Sequence, residues 1–113
     1  MNVYDCANDL AKAMRESHEY KKLQEATVAL NKDANAKSMV NEFLKLNQDA
    51  EIAKLQGKEP DKAITDKIQD LYRVLALNSD AMQYLNSFMR FQMMLSDVTK
   101  SIQDVVTEVV GEK

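Results

Sequence analysis

Apolar residues along this chain recur at steps of three and four, the period of an amphipathic helix. Val3, Ala7, Leu10 and Met14 form the first such stripe and predict a helix from about Asn2 to Arg15. Ser17 reads as the next N-cap, since its hydroxyl accepts from free N–H groups one turn on, and Glu19 suits the positive helix end. Tyr20, Leu23, Thr27 and Leu30 carry that second segment to Asn31. Asp33 caps a third, striped by Ala36, Met39, Phe43, Leu46, Ala50 and Ala53, with Val40 and Leu44 widening the apolar face. Gly57 ends it at a position that favours positive φ. Lys58-Glu59-Pro60-Asp61 is a turn, and Ile64, Ile68, Leu71 and Leu75 stripe a fourth helix. So short a connection makes the third and fourth helices an antiparallel hairpin.

Asn78-Ser79-Asp80 breaks the pattern and caps the last helix. There Met82, Leu85, Met89, Gln92, Leu95, Val98, Ile102, Val105 and Val109 follow steps of three and four up to Gly111. A helix from Ser79 to Val110 spans ~48 Å at 1.5 Å per residue. A compact monomer of this size is only ~35 Å across, from a radius of gyration of ~13 Å. Such a helix protrudes from a monomer or runs through a dimer. Inside it, Phe88-Met89-Arg90-Phe91-Gln92-Met93-Met94-Leu95 carries large apolar side chains all round, interrupted only by Arg90 and Gln92. A helix with one wet face has a narrower apolar stripe than this. The segment therefore expects cover on two sides. Met82, Leu85, Met89, Leu95 and Ile102 are expected to face the chain's own bundle, leaving Phe91, Met94 and Val98 for a second subunit.

The expected fold is all-α: a single domain, 1–113, of about five helical segments with a central antiparallel hairpin and a long C-terminal helix, oligomeric. Composition agrees. In 113 residues there are 2 Gly, 1 Pro and no Trp, and 29% are charged. The longest apolar runs fall far short of the ~18 residues of a membrane span. The N-terminus lacks the basic-then-apolar pattern of a signal peptide. A single cysteine, Cys6, has no internal disulfide partner. These features point to the cytoplasm and to no membrane insertion. Net charge is -3, and no segment is the basic patch that phosphate neutralisation requires, which disfavours direct nucleic-acid binding.

Chemistry is thin. His18, the only histidine, stands among Glu16, Glu19, Lys21 and Lys22; a general base or ligand is one reading, a solvated helix-start residue the stronger. A lone cysteine such as Cys6 is more often a small packed hydrophobe than a redox or metal group. No pair of Cys or His has metal-ligand spacing, and there is no Gly-rich phosphate loop or nucleophile elbow. No cofactor and no catalytic residue are expected. Arg90 is either a snorkelling side chain or an interface arginine paired with an acid across a dimer axis. Met82, Met89, Met93 and Met94 are core or interface, or an adaptable surface for partner helices.

The order of these caps and stripes resembles the YlbF/YmcA family of small helical bacterial regulatory proteins over nearly the whole chain. Ser17-His18-Glu19-Tyr20 is similar to the family's Ser-x-Glu-Tyr/Phe step. Asp33, Ala36, Met39 and Phe43 resemble its Asp-x-x-Ala segment, and Tyr84-Leu85 its Tyr/Leu pair in the long final helix. The resemblance implies an all-helical fold that associates through long helices. It also implies a non-catalytic regulator of Firmicutes, linked through a complex to ribonuclease Y-dependent mRNA processing and so to competence, sporulation and biofilm formation. Better-studied members are associated with iron–sulfur clusters and cysteines. The tail Val109-Val110-Gly111-Glu112-Lys113 has no cysteine, which places the chain nearer a YheA-like branch.

The reading is thus a cytoplasmic interaction protein, a dimer or higher homo-oligomer with further protein partners. Its association surface is expected at Leu85, Phe88, Met89, Phe91, Met93, Met94, Leu95 and Val98, with Arg90 as an interface charge. Two other readings stand beside it. One is a metal- or redox-dependent component or enzyme using Cys6 and His18. The other is a helical chaperone or secretion-linked hairpin, which five segments and the lack of a Trp-x-Gly turn count against.

Overall fold

Side chains that satisfy free backbone N–H groups begin each helix, and a computed structural model of the chain shows them doing so. It describes residues 1–111; Glu112 and Lys113, the end of the cysteine-free tail, lie outside the described residues. Five helices follow in order: α1 (Val3–Arg15), α2 (His18–Leu30), α3 (Ala34–Leu55), α4 (Lys62–Leu75) and α5 (Ser79–Val110). Among the described residues there is no strand. The fold is all-α, as the periodicity predicts.

Asn2 caps α1, its side-chain oxygen accepting from the Tyr4 N–H at 2.7 Å. Ser17 Oγ accepts from the Tyr20 N–H at 3.1 Å and donates back to the Met14 carbonyl at 2.6 Å, so one hydroxyl closes α1 and opens α2. Asp33 Oδ1 accepts from the Ala36 N–H at 3.0 Å, and Asp61 Oδ1 from that of Ala63 at 3.0 Å. Asn78 caps α5 through the Ala81 N–H at 2.9 Å. Its amide nitrogen also donates to Asp33 Oδ2 at 3.3 Å. That bond ties the starts of α3 and α5 together across 45 residues of chain. At the other end of α3, the Lys58 N–H donates to the Ala53 carbonyl and the Gly57 N–H to that of Lys54. This is a Schellman closure, and it requires the φ of +76° that Gly57 adopts.

The chain forms two compact units: residues 26–85, and residues 1–25 with 86–113. The first contains the α3–α4 hairpin. Antiparallel packing there brings Phe43 to 5.9 Å from Tyr72, ring centre to ring centre, and Glu42 to 2.9 Å from Lys67. Leu30, Ala36, Val40, Leu75, Ala81 and Leu85 form its core, with Leu75 and Val40 fully buried. Met39, Phe43, Leu44, Met82 and Tyr84 pack around them. Every stripe position predicted for α3 and α4 is covered or half-covered.

The other unit contains α1, the start of α2 and α5 from Asn86 onward. There Tyr20 of α2 packs on Phe91 of α5, with ring centres 6.3 Å apart and planes tilted by 55°. No residue of α1 is buried. The α1 stripe is half-covered at Leu10 and Met14, as predicted, with Cys6 and Ala11 beside them, while Val3 and Ala7 nearer the N-terminus are exposed.

Candidate protein interface on the last helix

In α5 the heptad keeps Leu95, Val98, Ile102, Val105 and Val109 of the predicted stripe but enters it through Phe88 and Phe91. Phe88, Phe91, Leu95, Val98, Ile102, Val105 and Val109 alternate strictly by three and four, which puts them on one side of the helix. The predicted stripe passes instead through Met89 and Gln92, both exposed. From Met89 onward the division of faces is inverted. Phe91, Met94 and Val98, expected to await a second subunit, are half-buried within their own chain. Met89, Leu95 and Ile102, expected to face the bundle, are open to solvent, with Met89 61% and Ile102 57% exposed. Met82 and Leu85 do face inward, and Leu85, at 5% exposed, serves the core of residues 26–85.

The remaining expected interface residues fall into two groups. Phe88 and Phe91 are half-buried, Phe91 against the Tyr20 ring. Met93 is 65% exposed, and Arg90 is also open. Arg90, Met93, Met94, Asp97 and Val98 line one open groove of ≈ 380 Å³ with Glu19 of α2. The heptad stripe is half-covered at Phe88, Phe91 and Val98, then uncovered at Ile102, Val105 and Val109. Val106 and Val110 widen the open part. Sequence reasoning placed these distal residues on the stripe but not among the interface residues. Their signal was the β-branched run from Val105 to Val110, which continues the heptad past the last aromatic.

Contiguous exposed apolar surface on a folded helix marks an association site more often than it marks idle surface. Nothing comparable favours chemistry. His18 is exposed and Cys6 half-buried, and among the described residues no three His, Cys, Asp or Glu side chains are placed to hold a metal ion. No helix among them is long and apolar enough to cross a membrane.

Comparison with known proteins agrees with the helical architecture. Residues 3–107 match the family model described as control of competence regulator ComK, YlbF/YmcA. A UPF0342 protein of Caldicellulosiruptor saccharolyticus is 38% identical over 105 residues, which cover 93% of this chain and 88% of that one. A UPF0342 protein of Symbiobacterium thermophilum is 36% identical over 104 residues, 92% and 93% of the two chains. Among solved structures, Bacillus subtilis RicA in complex with RicF superposes with a TM-score of 0.58 at 24% identity, over 96% of each chain. At that identity the likeness concerns the fold.

Proposed function

The chain belongs to the YlbF/YmcA family, and from that premise we propose that it is a non-catalytic cytoplasmic interaction subunit. It associates with a second copy and with other proteins through α5, from Met89 to Val109. The observation that carries this reading is the heptad stripe left uncovered at Leu95, Ile102, Val105 and Val109. Each such side chain contributes roughly 1.5–3 kcal/mol when a partner covers it fully. Leaving several exposed on one helix face is costly unless a partner covers them. The RicA relative was solved in complex with another protein, a mode of action this surface suits. At the level of the cell, the proposed role is regulation of ribonuclease Y-dependent mRNA processing, and through it of competence, sporulation and biofilm formation. No metal or cofactor enters the proposal.

The test is the paired substitution Ile102→Asp with Val105→Asp, read by light scattering and by co-purification from the native cell. Both positions are exposed, so the helix keeps its fold and circular dichroism stays unchanged. The expected result is loss of bound protein, together with the RNA-processing phenotype of a deletion strain. A variant that retains its partners and full regulation removes this surface from the proposal.

A further inference from the structure

Arg90 and Asp97 stand two helical turns apart on one side of α5, ~10.5 Å along the axis, with Met93 and Met94 between them in the same groove. Both charges are exposed. Among the described residues neither is in an ion pair, whereas Lys100 and Asp104 pair within their own helix at 3.5 Å. Arranged this way, the face is complementary to itself in one orientation only. Place a second α5 antiparallel, with the two-fold axis between Met93 and Met94. Arg90 of each copy then stands opposite Asp97 of the other, Met93 opposite Met94, and Asn86 opposite Ser101. Glu19 lines the same groove. A parallel pair would instead set Arg90 against Arg90 and Asp97 against Asp97, and like charges across an interface cost several kcal/mol.

We propose that this face is the self-association surface of the chain: a second copy docks on it antiparallel, held in register by two reciprocal Arg90–Asp97 pairs around a methionine centre. The inference rests on the self-association proposed above and adds its orientation, register and charges. An isologous two-fold contact of this kind uses the same patch twice. The methionines supply apolar contact that adapts to the facing helix, and the charges supply register and orientation. The distal stripe from Ile102 to Val109 lies on a different side of the helix and stays available to another protein.

Charge exchange in the full-length chain tests the proposal, with dissociation followed by sedimentation. Arg90→Asp and Asp97→Arg each turn both attractive pairs into repulsive ones, and each is expected to weaken the dimer at least ~10-fold. The double variant Arg90→Asp/Asp97→Arg restores both pairs and is expected to return to within ~3-fold of the parent. Mixing the two single variants should give a heterodimer, since every acid then meets a base. All the positions are exposed, so circular dichroism of the variants should match the parent. A dimeric parent whose double variant dissociates like the single ones overturns the antiparallel register and leaves self-association standing. A parent that is monomeric at all concentrations overturns both.

Discussion

Residues 26–85 and the remainder of the described chain differ in one physical respect: whether they bury a core of their own. All the buried residues of the described chain, from Ala26 to Leu85, belong to the first unit. Among its described residues the second unit buries none, yet it carries Met89, Met93, Ile102, Val105, Val106, Val109 and Val110 exposed along a single helix. The hairpin unit is stabilised by its own packing. The other is apolar enough to form a core and lacks the neighbouring surface to complete one. A helix in that condition gains stability when a partner covers it.

Substitutions can break or sharpen this contrast. The largest effect is expected from Leu75→Ala, which opens a cavity in the filled core and should cost about 2–5 kcal/mol in denaturant melts. The matched change Ile102→Ala, measured at concentrations where the protein is dissociated, should cost within about 0.5 kcal/mol. Equal losses at the two positions would mean that the distal stripe is already covered. Next in size is Asp33→Ala, which removes the α3 cap and the bond from Asn78; about 1–2 kcal/mol is expected. Gly57→Ala should follow at about 1 kcal/mol. A Cβ there meets nothing within 4 Å, so the whole cost is the left-handed backbone. Lys67→Ala, which breaks an exposed pair with Glu42, should change stability by no more than about 1 kcal/mol. Hydrogen exchange gives a test without substitution: amides of α1 should exchange faster than those of α3 near Val40 or α4 near Leu75.

The helices were legible because what starts and stops them is local. Ser17, Asp33 and Asn78 act within three residues of themselves, and Gly57 closes α3 through its own φ. The hairpin followed from the short turn. The apolar stretch from Phe88 to Leu95 was legible as a segment, and which of its faces the chain itself covers was not. Where apolar side chains point all round a helix, stripes through Met89 and Gln92 or through Phe88 and Phe91 satisfy nearly the same spacing. Tyr20, 71 positions earlier, occupies the Phe91 side, and no local pattern contains that fact.

The sequence by itself therefore determined five helices, the caps at Ser17, Asp33 and Asn78, the antiparallel hairpin and a long last helix too apolar for one wet face. These depend on backbone hydrogen bonding and period, which are short-range. Only the tertiary structure decided that Leu75 and Val40 are sealed while Ile102 and Val109 are open. It alone brought Glu19 beside the Arg90–Asp97 face. Burial is settled by which distant surface arrives, and a helical period constrains the spacing of a stripe without naming what covers it.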